Sequence, residues 1–185
     1  VTRIIAGELG GRRLAVPGGR TTRPTSDRTR EALFSSLEAT HDLTSGPFLD
    51  LYAGSGAVAL EALSRGAPSA VLVESARPAL AVIERNVRDL GLGARATVVA
   101  GRVDAVAARL DGLGAATVFA DPPYGDDAGE LAALLDRLVG AGAVAPGAVV
   151  VVERDRRDPW RWPTSIEALR DRRYGETTLW YGSPL

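Results

Sequence analysis

Two short stretches of this sequence hold residue types whose spacing could do chemistry. One is Asp121-Pro122-Pro123-Tyr124. The other is Asp50-Leu51-Tyr52-Ala53-Gly54-Ser55-Gly56, with Glu74 about 20 residues further on. Consecutive prolines hold the backbone extended and remove two N–H donors, which leaves carbonyl oxygens free to accept. An aspartate beside a proline carbonyl can accept both hydrogens of an exocyclic amine, while the Tyr124 ring stacks on the base that carries it. Such an amine is a poor nucleophile, because its lone pair is delocalised into the ring. Two acceptors favour its pyramidal form and the positive charge that grows as it attacks an electrophile. Pro-Pro alone would read as a turn, but the whole tetrapeptide after an apolar strand reads as a catalytic site: Asp121, Pro122, Pro123 and Tyr124.

In the second stretch Gly54, Gly56 and Ala59 fit the G-x-G-x-x-G/A spacing between a strand and a helix. Glycines there let backbone approach a ligand, and the helix start offers unpaired N–H groups. Glu74 ends the next strand, where an acid would bind ribose hydroxyls. The glycine pair alone fits a tight strand–helix turn, and a nicotinamide-dependent oxidoreductase would show the same pattern. Asp50 discriminates. A carboxylate just before the glycines opposes a pyrophosphate and suits a ligand bearing an ammonium group. S-adenosyl-L-methionine has that ammonium and a ribose, and it lacks phosphate. The candidate cofactor-binding residues are Asp50, Tyr52, Gly54, Ser55, Gly56 and Glu74.

These residues need elements to hold them. Apolar runs at Phe48–Ala53, Ala70–Val73, Ala96–Ala100, Ala116–Ala120 and Ala148–Val152 predict strands. Helical patterns fall between them, ending near Gly66 and Gly91, with further stretches at Val103–Leu110 and Leu131–Val139. Strand–helix alternation with short loops means βαβ units and a parallel sheet. Ser165–Leu169 and Thr177–Tyr181 predict an antiparallel edge turning near Tyr174-Gly175. Upstream, Thr25-Ser26-Asp27 supplies helix caps before Leu33, Phe34 and Leu37. The first 20 residues read as a short hairpin, with Gly7 to Gly11 as a turn and Pro17-Gly18-Gly19 closing it. Two strands alone are marginal, so it must rest on the body or on a ligand. The expected organisation is a basic hairpin extension over 1–22 and one methyltransferase-like α/β domain over 23–185.

The 185 residues contain no cysteine and one histidine, His41, which excludes thiolate chemistry and any site needing two imidazoles; no metal is expected. His41 sits in a polar loop and reads as solvated. No apolar run reaches the ~20 residues of a membrane helix, so the expected compartment is the cytoplasm. All 22 basic residues are arginine, and the net charge is −1. The arginines cluster at the two ends, around an acidic middle. Basic flanks can engage a polyanion, and arginine also stacks on bases. Arg3, Arg12, Arg13, Arg23 and Arg28 are the candidate RNA contacts. Trp160 and Trp162 read as loop packing rather than base stacking, and Trp180 and Tyr181 as packing in the last strand.

The chain closely resembles the RsmD family of class I S-adenosylmethionine-dependent methyltransferases. The resemblance spans nearly the whole chain. It includes Arg3-Ile4-Ile5-Ala6-Gly7, Gly11-Arg12-Arg13-Leu14 and Arg23 through Phe34. It continues in Ala53-Gly54-Ser55-Gly56, Leu60 through Gly66, and the Asp-Pro-Pro-Tyr. It implies a Rossmann-like fold with a mostly parallel seven-stranded sheet, an antiparallel C-terminal edge and an N-terminal β-hairpin. It also implies methylation of the N2 amine of a guanine in 16S rRNA, within a 30S subunit or assembly intermediate, by a monomeric enzyme. Asp104 falls where such enzymes contact adenine. The alternatives are a DNA amino-methyltransferase acting on adenine N6 or cytosine N4, and a non-catalytic RNA-binding ribosome assembly factor.

Overall fold

The computed structural model describes residues 2–18, 25–123 and 125–185; Gly19, Arg23 and Tyr124 lie outside them. The strands are β1 (Phe48–Leu51), β2 (Ala70–Glu74), β3 (Ala96–Ala100), β4 (Ala115–Ala120), β5 (Val144–Asp155), β6 (Ile166–Tyr174) and β7 (Thr177–Pro184). They form one sheet in the order β3-β2-β1-β4-β5-β7-β6. The first five are parallel, and β7 runs antiparallel to both β5 and β6. The expected class is therefore the observed one. β5, β6 and β7 run longer than their apolar stretches, because pairing with neighbours carries a strand beyond the residues that bury.

The helices are α1 (Asp27–Glu38), α2 (Ala57–Ser64), α3 (Arg77–Asp89), α4 (Val103–Val106) and α5 (Ala128–Gly140). Val103–Leu110 is only one α-turn followed by a 3₁₀ turn over Ala107–Leu110. Two apolar layers cover the sheet. Leu33, Phe34 and Leu37 of α1, the buried face of α2 and Ile83 of α3 pack with Phe48, Leu72, Phe119 and Val151. Leu131, Leu134, Leu135 and Leu138 of α5 pack with Leu49, Leu51, Val118, Val150 and Val152 on the other side. Successive strand residues alternate between the layers, which is why β1, β4 and much of β5 are apolar throughout. Trp160 is buried in the second layer, edge-on to Trp162 at 5.5 Å, and Tyr181 is buried in the first.

The opening segment folds back on itself as the expected short hairpin: around the antiparallel bridge of Arg3 to Arg13, Ile4 N–H donates to the Arg12 carbonyl at 2.9 Å, Gly11 N–H to the Ile4 carbonyl at 2.8 Å and Leu14 N–H to the Thr2 carbonyl at 2.9 Å. Other backbone groups of the hairpin bond to the body. Ile5 and Ala6 donate their N–H groups to the Glu61 carboxylate at 2.8 and 3.0 Å, and Glu8 N–H donates to the Ser64 carbonyl. The segment thus caps the end of α2. Gly7, at φ +83°, is required there, since a Cβ would lie 1.9 Å from the Ser64 oxygen. Ile4 and Leu14 join the core. Glu61 is fully buried and also binds Arg65 at 2.8 Å and faces the buried Arg30 at 3.6 Å. His41 is half-buried, with Nε2 3.0 Å from the Thr117 hydroxyl, which corrects its reading as a solvated residue. Burial holds its pKa below the ordinary imidazole value.

Removing one member of a buried ion pair strands the other's charge, which costs about 3–5 kcal/mol. Glu61→Ala should therefore destabilise the protein by about that much in urea unfolding, since it also orphans two N–H groups. Glu38→Ala, which removes the half-exposed partner of Arg65, should change stability by less than about 1 kcal/mol. Equal losses would show that Glu61 does not hold the segment.

Candidate functional site

β1 lies between β2 and β4, so the chain leaves β1 toward one edge and returns on its other side. At such a reversal the loops part, and a crevice opens beyond the carboxyl ends of the strands. Here it is a cleft of about 1990 Å³. Asp50, Tyr52, Gly54, Ser55, Glu74, Asp104, Asp121, Pro122 and Pro123 line it, as does Arg28. The two sequence stretches are thereby brought to one place. Gly56 does not line the cleft. Its φ of +80° turns the chain into α2, and a Cβ there would press on Leu72 at 3.0 Å, so its absence lets helix and sheet close up. Tyr52 holds φ +64° without being glycine, a strained conformation of the kind that gathers at sites. Burial, with Asp126 and Asp104 nearby, pushes its hydroxyl up to about 12.

Asp50 is buried, and its carboxyl accepts a hydrogen bond from Ala59 N–H in the first turn of α2 at 3.2 Å. The positive end of that helix is therefore already occupied by the protein's own carboxyl. A pyrophosphate brought there would meet it, which removes the usual reason for a dinucleotide to bind such a turn. Burial pushes Asp50 up to about 8; the Ala59 bond opposes this, and Glu74 adds to it.

Glu74 accepts from Gly54 N–H through one oxygen and from Ser75 and Ala76 N–H through the other, all at 2.8 Å. A carboxylate has about four acceptor positions. Three are used, so a ligand with two hydroxyls would gain one freely and the second by loosening the Gly54 contact. Asp104 is exposed on the rim and paired with Arg102 at 3.1 Å.

Asp121 is partly exposed on the cleft side, yet protein surrounds its carboxyl. Burial, then Glu153 and Asp50, raise it well above the usual carboxylate range. The Thr25 hydroxyl lies 3.0 Å from a Glu153 oxygen and 3.4 Å from an Asp121 oxygen. Sequence reasoning took Thr25 for a helix cap and did not single out Glu153. The available signal was a charged pair, Glu153-Arg154, directly after the wholly apolar run Ala148–Val152 of β5. Of the candidate RNA contacts, Arg28 is exposed on the cleft wall. Arg3, Arg12 and Arg13 are exposed on the opening segment, away from the cleft lining, with Arg12 bonded to the Asp89 carbonyl at 2.8 Å. No helix among the described residues is long and apolar enough to cross a membrane.

A family model described as conserved hypothetical protein 95 matches residues 2–183. The ribosomal RNA small subunit methyltransferase D of Escherichia coli strain K12 is 37% identical over 153 residues, covering 83% of this chain and 74% of that protein. Among solved structures, the Escherichia coli protein yhhF superposes with a TM-score of 0.82 at 32% identity, covering 98% of this chain and 97% of that one. An RNA methyltransferase of Salinibacter ruber, solved in complex with S-adenosyl-L-homocysteine, shares the fold with a TM-score of 0.66 at 16% identity. That match covers 88% of this chain and 94% of that one. The fold is that of class I methyltransferases.

Asp50 has a folded pKa of about 8, above its unfolded value, so the folded state keeps a proton that the unfolded chain releases as pH rises. Its contribution therefore turns unfavourable between about pH 4 and pH 8. Asp50→Asn keeps an acceptor for Ala59 N–H and carries no charge. The variant should gain stability over the wild type as pH rises from 5 to 8, read from denaturant midpoints. A gap that does not change with pH would mean Asp50 is ionised throughout.

Proposed function

The chain belongs to the conserved hypothetical protein 95 family, the RsmD methyltransferases, and we propose that it methylates the N2 amine of a guanine in 16S rRNA. The methyl donor on this reading is S-adenosyl-L-methionine, which supplies an electrophilic methyl group on a sulfonium. The observation that carries the reading is the pairing of two acceptor-rich sites at one strand reversal. Asp50 and Glu74 present carboxyl groups beside a glycine turn whose helix end is closed to phosphate. Asp121 and Pro122 present acceptors one strand away.

These residues fit the donor. Asp50 suits its ammonium group, and binding a cation there would draw off the proton that burial now favours. Glu74 suits its ribose, with Tyr52, Gly54, Ser55 and Asp104 along the wall. Asp121 and the Pro122 carbonyl accept the two hydrogens of the target amine, orient its lone pair and favour the positive charge that grows on nitrogen. Tyr124 supplies a ring for the base to stack on. Arginines of the opening segment and Arg28 contact RNA phosphates. The relative named as a small-subunit rRNA methyltransferase supports ribosomal RNA as the substrate class.

Transfer of tritium from labelled donor to naked 16S rRNA, 30S particles and DNA, followed by nucleoside analysis, tests the reading. Label in N2-methylguanosine supports it. Label in N6-methyladenine or N4-methylcytosine would establish the DNA alternative, and binding without transfer would establish an assembly factor. Within the site, Glu74→Ala should weaken donor binding about tenfold or more, the effect of losing one charge-assisted hydrogen bond. Asp121→Ala should lower turnover roughly 100-fold or more, and Asp121→Asn less, because an amide oxygen still accepts. Tyr124→Phe should be nearly silent and Tyr124→Ala severe. If Phe at 124 is as damaging as Ala at 121, the hydroxyl does chemistry and the mechanism is wrong.

A further inference from the structure

Asn86, toward the end of α3, is buried, and its side-chain amide joins two distant stretches of the chain. The Ala15 N–H donates to its Oδ1 at 2.8 Å. Its Nδ2 donates to the Ala15 carbonyl at 3.0 Å and to the Ser55 carbonyl at 3.1 Å. Ala15 belongs to the opening segment and Ser55 to the glycine turn. Both stretches reach the cleft: Ser55 lines it, and so do Val16, Pro17 and Gly18, which follow Ala15 directly. On the other side of Ala15, Arg12 and Arg13 are exposed.

An amide group carries two N–H donors and a carbonyl acceptor on one carbon. It can therefore exchange two bonds with one residue, as a neighbouring strand would, and still direct an N–H to a second segment. The Ala15 N–H and the two carbonyls decide which way round the amide lies. Aspartate there would set a carboxylate against two carbonyls, and leucine, of similar size, would offer none of the three bonds. In a buried place such losses are costly. The Ser55 carbonyl shares its peptide with Gly56, whose N–H donates to the Ala53 carbonyl at 2.8 Å. Gly54 N–H donates to Glu74. The turn is thus held by Glu74 from the cleft and by Asn86 from behind.

We propose that Asn86 is a positioning residue that clasps the opening segment to the glycine turn, so that methyl donor bound on the turn and RNA bound on the segment strengthen each other's binding. The proposal rests on the reading above, in which the donor occupies the turn and Arg3, Arg12 and Arg13 contact RNA. Asn86 does not itself line the cleft, so it acts through Ala15 and Ser55. The donor needs the turn in place, and RNA needs the arginines in place. The clasp makes one backbone unit of the two. Whichever ligand arrives first orders that unit, and the second finds it ordered. The effect is reciprocal by thermodynamic necessity.

The test uses the full chain, with S-adenosyl-L-homocysteine as the donor probe and 16S rRNA as the RNA probe, each titrated alone and with the other present. In the wild type each should raise the other's affinity by the same factor, about fivefold or more. In Asn86→Leu that factor should fall to about one, and the donor probe alone should bind about tenfold more weakly, because the competent turn becomes a minor population. Ser64→Ala is the control. The Ser64 hydroxyl also holds the segment, accepting from Leu9 N–H at 3.0 Å and donating to the Ala6 carbonyl at 2.6 Å, but away from the cleft lining. That variant should keep both the factor and the donor affinity. In methyl transfer, Asn86→Leu should raise KM for the donor about tenfold and leave kcat within about twofold, the split expected of lost ground-state binding. The wild type gives a reading that needs no variant. With the donor probe at about ten times its Kd, the Ala15 amide proton should exchange up to about tenfold more slowly, because the opening that frees it also spoils the turn. Unchanged Ala15 exchange overturns the clasp, whether or not Asn86→Leu folds. A wild-type factor of one with both ligands bound, a factor that survives in Asn86→Leu, or one that falls as far in Ser64→Ala overturns the positioning role. A wild type that binds the donor probe and no RNA overturns the functional reading instead, and the exchange and donor affinity still decide whether Asn86 holds the turn.

Discussion

Negative charge crowded onto one face of the sheet is the constraint around which the rest of the site is arranged. Asp50, Asp121 and Glu153 stand at the ends of three adjacent strands, among residues buried by α1 and α2. Such a cluster costs stability, and apolar residues of similar volume would pack better. The structure meets the cost locally. The first turn of α2 gives Asp50 an N–H, the Thr25 hydroxyl lies against Asp121 and Glu153, and burial raises Asp50 and Asp121 above the usual carboxylate range. Each of these devices is reversible. A bound cation or an amine with hydrogens to donate can take their place, so the cost of burying the carboxyls favours that chemistry.

The opening segment matters to the cleft more than its position in sequence suggests. It is tied to the end of α2 through Glu61 and Ser64, while Asp50 holds the start of that helix. Asn86 of α3 then pairs with both the N–H and the carbonyl of Ala15, and donates also to the Ser55 carbonyl in the glycine turn. The arginines at positions 3, 12 and 13 are therefore displayed on a backbone bonded to the same turn that lines the cleft. Truncating the segment would remove Ile4 and Leu14 from the core and uncover the Glu61–Arg30 pair. Charge removal at the arginines separates RNA contact from folding in a way that deletion does not.

The fold was legible because its signals are local. Apolar runs bounded by glycines give strands, and the spacing of Gly54, Gly56 and Glu74 gives the first βαβ unit. What the sequence left unread depends on pairings between distant residues. Glu153 looks like the polar end of a strand until the β4–β5 register sets it beside Asp121. Thr25 looks like a cap until α1 is packed on the sheet, whereupon Ser26 caps the helix and Thr25 turns to the carboxyls. His41 found Thr117 across 76 positions, and the hairpin found Glu61, which takes the Ile5 and Ala6 N–H groups from 56 and 55 positions away. Periodicity carries no information about such partners.

The regional charge pattern acquires a geometric meaning once the cleft is in view. The acidic middle of the chain supplies the floor: Asp50, Glu74, Asp121 and Glu153. The basic flanks supply part of the wall, through Arg28 from the start of α1 and Arg157 and Arg173 from the ends of the β5–β6 excursion. A polyanion approaching a uniformly acidic cleft would be repelled within about a Debye length, roughly 8–10 Å. Arginine on the wall offsets part of that charge, to which Asp126, Asp127, Glu130, Asp155, Asp158 and Glu176 also contribute. On the proposed reading, a single nucleobase enters with its amine toward the acceptors of Asp121 and Pro122. On that same reading, the arginines of the wall are where the phosphates are held, and the salt dependence of RNA binding belongs to them rather than to the carboxyls.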